Sequence, residues 1–275
     1  MKHSTMKKIS AFLLGLAVMI IFFAPVCWIF STSLRLPRDS FKWPPLFFPT
    51  SFHVSNYLEV FRRVPFMMFL VNSFKIAFIV MTGQVIINSM MAFAFSRIEF
   101  KGRELLFVLV LAGLMVPPQA SIIPLFMVVK SMNAMDHHIA LILPALMSPL
   151  SVFMVRQSMM TIPKSYDEAA ELDGASAWLK FVWIIVPMCK PSIALVAIMA
   201  FLNSWNDYFR ALIFISRYEK MTIPVGIQML KGFMGGGSVS VILAGVMLSL
   251  LPPLIIFIMA QKQIMKGIRI GGMKG

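Results

Sequence analysis

Six stretches free of Asp, Glu, Lys and Arg run through this chain as candidate membrane spans: 9–34, 76–96, 105–129, 137–155, 191–206 and 232–261. A helix needs about 20 predominantly apolar residues to cross a bilayer. The composition agrees with a lipid solvent: 59% of the 275 residues are hydrophobic and 13% charged, against roughly 25% charged in an ordinary soluble domain. The fifth stretch is short, but Asp207 and Arg210 only interrupt an apolar run that continues to Ser216. The expectation is an all-α membrane protein with six transmembrane helices.

The formal charge of +14 does not point to nucleic acid, because basic residues of membrane proteins gather at the cytoplasmic ends of helices. With Met1 inside, both termini are cytoplasmic, and the inside segments take Lys2, Lys7, Lys8, Arg97, Lys101 and Arg103 among others. The basic opening "MKHSTMKK" resembles a signal n-region, but the apolar run continues without a small-residue cleavage site, so a retained first helix is expected. Cys27 falls at the outer end of helix one and Cys189 on the inner side, so they do not pair. His137 and His138 lack metal-ligand spacing and read as interfacial polar residues. Metal and catalytic residues are none. No phosphate-binding loop occurs, since the glycines at 235–237 lack the Lys-Ser/Thr ending; they read as a flexible outer loop.

Prolines punctuate three spans: Pro117–Pro118, Pro144 with Pro149, and Pro252–Pro253. Each removes a helix hydrogen bond, and the freed carbonyls need a neighbouring helix or a wet cavity. In the outer segment 35–69, "VSNYLEVF" is predicted as a short helix capped by Ser55 or Asn56. The run Asn203, Ser204, Trp205, Asn206 and Asp207 places costly polar groups in helix five. Asn203, Trp205, Asn206 and Asp207 are therefore candidates for a substrate path. The alternative is interhelical hydrogen bonding, with Asp207 and Arg210 paired at i,i+3.

The chain has only 11 acidic residues, yet Asp167, Glu168, Glu171 and Asp173 sit close together in the longest inner loop, 156–190. Ser165 with Glu168 forms the pattern of a capping box, and Gly174 suits a left-handed helix end. A short helix over 166–173 is predicted, with positive φ at Gly174.

The pattern Glu168-Ala169-Ala170, three residues, Gly174, nine residues, Ile184, one residue, Val186-Pro187 resembles the signature loop of ABC-importer permease subunits. Val186 stands where that pattern has leucine. "FLNSWNDYFRALIFI", "VNSFKIA", "HVSNYLEVF" and the tail "QKQIMKGIRIGGMKG" are similar to the carbohydrate-importer version, of the maltose-type second permease. The resemblance implies a type I importer fold with a 1–69 segment (first helix and outer loop), a permease core 70–261 and a cytoplasmic tail 262–275. It implies a non-catalytic translocation subunit of a sugar importer in a bacterial or archaeal cytoplasmic membrane. Implied partners are a second permease subunit, two ATP-binding subunits that hold ATP and Mg, and an extracytoplasmic solute-binding protein. No cofactor is expected in this chain. Glu168, Ala169, Ala170 and Gly174 would contact the ATPase as a coupling helix, and Lys266, Gly267 and Arg269 would do so from the glycine-rich tail, which is too flexible to fold alone. The alternatives are a permease for an amino acid, peptide or phosphate, and a stand-alone secondary transporter, which would need ion-coupling groups of its own.

Overall fold

The computed structural model describes residues 2–36, 48, 52–232 and 237–271, with side chains described from 12 to 261 within those ranges. Most of the glycine triplet 235–237 and most of the outer segment 37–51 lie outside the described residues.

Charge-free runs become helices, as backbone satisfaction in lipid demands. Among the described residues, four helices are long and apolar enough to cross a bilayer: Phe12–Ser33, Phe66–Arg97, Ile139–Met160 and Val239–Gln261. A fifth arises if the bent pair Ala177–Met188 and Lys190–Trp205 counts as one. The expected third span, 105–129, is not one helix. It divides into α4 (Arg103–Ala112) and α5 (Ile122–Ser131) around Pro117–Pro118.

The two Pro-Pro pairs behave differently. Val116, before the first, is extended at φ −90°, ψ 115°, as the residue before proline prefers. Turns then close after it: the Ala120 N–H donates to the Pro117 carbonyl, and Ser121 Oγ to the Pro118 carbonyl. Pro252–Pro253 lies in an apolar run with no turn-forming neighbour, and its helix, Val239–Gly271, continues through it. That helix also extends through 262–271, where an irregular tail was expected.

The chain forms two compact units. One comprises Met1–Met67 with Gly226–Leu251. It contains α1 (Lys2–Ser33) and α2 (Ser55–Arg63). Neither Ser55 nor Asn56 caps α2: the N-cap is Val54, with no side-chain bond. Asn56 is instead buried, and its Nδ2 donates to the carbonyls of Ser33 and Arg35, both at 2.9 Å. This amide ties the end of α1 and the loop after it to α2.

The other unit comprises Met68–Val225 with Pro252–Gly275. Its axis is α3 (Phe66–Arg97), whose buried polar side chains serve the backbone of its neighbours. Asn72 Nδ2 donates to the carbonyls of Glu219 and Met221 at 2.9 and 3.0 Å. The Ile223 N–H, which opens α13 (Ile223–Met229), donates to Ser73 Oγ at 2.8 Å. Prolines 144 and 149 divide the fourth span into α6 (Ile139–Ile142), a 3-10 turn and α7 (Pro149–Met160). Gln84 Nε2 donates to the freed Ala145 carbonyl at 2.6 Å, and Asn88 bonds both the Leu146 carbonyl and the Ser148 N–H. Gly83 permits this approach, since a Cβ there would lie 2.4 Å from Leu146 Cδ2. The histidines are tied to loops: His138 Nε2 lies 3.0 Å from the Lys220 carbonyl oxygen.

Replacing Gln84 with leucine strands the Ala145 carbonyl. The cost of an unsatisfied buried acceptor is about 1–3 kcal/mol. We expect a lowered melting temperature for the detergent-solubilised Gln84→Leu protein, and a smaller drop for Gln84→Glu at a pH that keeps the acid protonated.

Candidate functional site

The acidic segment forms α8 (Ser165–Leu172). Its start differs from the predicted capping box: the N-cap is Lys164, already helical at φ −63°, ψ −21°, and no side chain caps it. Ser165 is the first helical residue. Tertiary charge decides this. Asp167 lies 2.8 Å from Arg97 Nη1, and both side chains are largely buried. Arg97 Nη2 also donates to the carbonyls of Met159 and Ile162, at 2.7 and 2.8 Å. One guanidinium thus joins the end of α3, the end of α7 and the first turn of α8. Breaking a buried pair by removing one partner typically costs 3–5 kcal/mol.

The other end of α8 follows the sequence. The Gly174 N–H donates to the Glu171 carbonyl and the Ala175 N–H to the Ala170 carbonyl. This is a Schellman ending, with Gly174 at φ +78° and open space around its Cα. Ser176 Oγ then accepts from the Leu179 N–H and caps α9 (Ala177–Lys180). A π turn (Phe181–Ile185) and α10 (Val186–Met188) complete this helix. Lys180 Nζ reaches back to Glu171 Oε1 at 2.5 Å.

These contacts turn α8 so that Glu168, Ala169 and Gly174 are exposed. Ala170 differs from the expected contact set: at 6% exposure it packs inward, because it lies one helical turn beyond the anchored Asp167. Leu172, which sequence reading passed over, is 91% exposed. Its position three and four residues after Ala169 and Glu168 was the available signal. Behind α8 a cleft of about 320 Å³ is lined by Arg97, Glu99, Lys164, Asp167, Glu168 and Lys180 among others.

A second feature is a cavity of about 560 Å³ with a mixed polar and apolar lining, within the same unit. Three helix interruptions meet there: the Pro117–Pro118 break, the 143–148 break, and Asn206–Asp207 between α11 (Lys190–Trp205) and α12 (Tyr208–Phe214). Asn203, Ser204, Asp207, Arg210, Gln119 and Ser121 give it polar walls. Asp207 Oδ2 lies 2.6 Å from Arg210 Nε, and Asp207 Oδ1 accepts the Arg210 N–H as the cap of α12. Of the four candidate path residues, Asn203 and Asp207 line the cavity. Trp205 does not: it is 3% exposed and stacks on Phe201, centroids 5.6 Å apart. Asn206 is exposed, and its Nδ2 donates to the Leu202 carbonyl. A helical turn disperses neighbouring residues by about 100°, so a run of polar residues does not share one face. Gln119 and Ser121 were missed; the signal was that they follow a helix-breaking Pro-Pro pair.

Lys266, Gly267 and Arg269 fall on the last part of α14 (Val239–Gly271), where side chains are not described.

These features define a multi-pass α-helical membrane protein, with apolar helices, a cavity built from interrupted ones, and a protruding acidic helix. Residues 84–265 match the family described as "Binding-protein-dependent transport system inner membrane component". The chain belongs to that family. It is 32% identical over 280 residues to the trehalose/maltose transport system permease protein MalG of Thermococcus litoralis, covering 100% of both chains. It is 31% identical over 247 residues to the arabinooligosaccharides transport system permease protein AraQ of Halalkalibacterium halodurans, covering 90% of this chain and 88% of that one. Among solved structures it resembles a bacterial ABC transporter involved in the import of the acidic polysaccharide alginate, with TM-score 0.82, 20% identity, and coverage of 94% of this chain and 96% of that one. The expected importer-permease fold is the one shared with that structure.

Gly174→Val places a β-branched residue at positive φ, at a cost of about 1–2 kcal/mol. We expect faster proteolysis of the 172–176 link, with Gly174→Asn close to the unaltered chain. Arg97→Gln leaves Asp167 without its cation; amide hydrogen exchange over 159–172 should accelerate, while exchange in the middle of α3 stays as it was.

Proposed function

We propose that this chain is the membrane-spanning translocation subunit of an ATP-driven sugar importer in the cytoplasmic membrane, and that α8 is its coupling helix. The family match over residues 84–265 carries the importer reading, and the observation that supports the coupling role is Leu172, almost fully exposed at the end of a helix whose other face is locked by Arg97 and Asp167. With the other face fastened, the side that carries Leu172 is the one left available to a partner. Glu168 and Ala169 lie beside it, the small alanine allowing close approach and the carboxylate offering a charge-assisted contact. Gly174 shapes the exit turn, and Ala170 acts from within by packing α8 to its own chain.

The proposed topology has six crossings and cytoplasmic termini. Its third crossing is α4 with α5, and its fifth is α11 with α12. Arg97, α8 and the last turns of α14 then share the cytoplasmic side. The proposed partners are a second permease subunit, two ATP-binding subunits that bind ATP and Mg, and an extracytoplasmic solute-binding protein. Lys266, Gly267 and Arg269 contribute a basic contact with the ATPase pair. ATP-driven approach of those subunits moves α8 as a rigid body and switches the spans between inward- and outward-open, an interface-rotation type of switch.

The cavity is the proposed substrate route. Amides, hydroxyls and a neutralised carboxylate–guanidinium pair suit a hydroxyl-rich, uncharged solute, and the names of the relatives support a sugar.

The test is reconstitution with the partner subunits. Glu168→Lys and Leu172→Asp should lower ATPase co-purification and substrate-stimulated hydrolysis. A buried charged contact is worth roughly 2–5 kcal/mol when one partner is lost. Asn203→Ala and Asp207→Asn should reduce uptake while the complex still assembles. Normal association of both α8 variants would reject the coupling role, and normal uptake by both cavity variants would reject the route.

A further inference from the structure

We propose that the α9–α10 helix, Ala177–Met188, is a membrane-surface anchor whose exposed face binds the headgroup layer of an anionic bilayer, setting the depth at which α8 is held. The inference rests on the reading of α11 as a crossing helix.

Ala177–Met188 and Lys190–Trp205 meet at an angle of 83° across the single residue Cys189. Two helices at that angle cannot both follow the bilayer normal. α11 is the one that does. It carries no charged residue between Pro191 and Trp205, and it packs against α7, part of the Ile139–Met160 span. The α9–α10 helix must then lie along the membrane surface, starting where α11 enters.

Its two faces have different surroundings. Phe181 and Ile185 are buried with Ala92 and Phe93 of α3 and Val155 and Met159 of α7. On the exposed side stand Trp183 at 74%, Trp178 at 59%, Leu179 and Met188. Leaving such apolar surface in water is unfavourable. Tryptophan is the residue enriched at bilayer interfaces, where its ring meets the headgroups. The charge pattern fits the same place. From Gly174 to Asn206 there is no Asp or Glu, and the only charged residues are Lys180 and Lys190. Lys180 is paired with Glu171, while Lys190 is exposed at the bend. A lysine in that place is attracted to an anionic leaflet.

The consequence is mechanical. Gly174, Ala175 and Ser176 join α8 to the anchored helix along the chain, and the Lys180–Glu171 ion pair bridges the two. Movement of α8 relative to the membrane is therefore concentrated in that short link and in the Arg97 joint.

The test places a diazirine-bearing residue at Trp183 or at Leu172 of the full complex, reconstituted in mixed phosphatidylcholine and phosphatidylglycerol vesicles and illuminated. At Trp183 the expected products are chain–lipid adducts, enriched in phosphatidylglycerol over its bulk share. Lys190→Gln should abolish that enrichment. At Leu172 the expected product is a crosslink to a protein partner. A Trp183 probe that captures a protein chain, or gives no adduct, overturns the anchor. Lipid adducts mirroring the bulk ratio in the unaltered chain overturn the anionic preference. Failure of the Leu172 probe alone counts against the coupling role and leaves the anchor standing.

Discussion

Inside a bilayer a broken helix has no bulk water around it, so a carbonyl freed by a proline needs a donor from a neighbouring helix or a wet cavity. The larger unit is organised around this constraint. The fourth span is interrupted between Ile142 and Pro149, and α3 supplies what the interruption lacks. Gln84 takes the Ala145 carbonyl, and Asn88 takes the Leu146 carbonyl and the Ser148 N–H. Asn72 and Ser73 do the same for the chain entering α13. α3 is thus a scaffold of hydrogen-bond donors and acceptors around which interrupted segments are fixed.

Interruptions so stabilised leave room. The cavity forms where three of them meet, and Gln84 borders it while bonding Ala145. Gln84, which serves the break, is therefore also part of the cavity wall. Arg97, thirteen residues further along α3, clasps α7 and α8. Thirteen residues of helix span about 20 Å, so one stiff element joins the wall of the proposed substrate route to the joint of the proposed coupling helix. A displacement of α8 has a direct covalent and hydrogen-bonded line to the cavity.

The Arg97–Asp167 pair also explains how an acidic helix sits in an otherwise basic, apolar protein. One of its carboxylates faces inward to a cation that already serves two backbone carbonyls, and Glu171 holds Lys180. The remaining acids stay on the outside with Leu172. The helix is fastened on one side and free on the other, a form suited to transmitting force from a partner.

Local physics was legible in the amino-acid order. Apolar runs announced a membrane protein, Gly174 announced a left-handed helix end, and Pro144 with Pro149 announced a break that needed outside partners. These follow from short-range sterics and from transfer of apolar surface, which neighbouring residues decide among themselves. What only the tertiary structure decided was partnership. Ser165 was denied its capping role because Asp167 is drawn to Arg97, some seventy residues earlier in the chain. Trp205 packs on Phe201 rather than facing the cavity, Ala170 turns inward, and one Pro-Pro pair breaks its helix where the other does not. Each outcome depends on which carbonyl, charge or ring another helix brings within a few ångströms, and that proximity is created by packing rather than by sequence spacing.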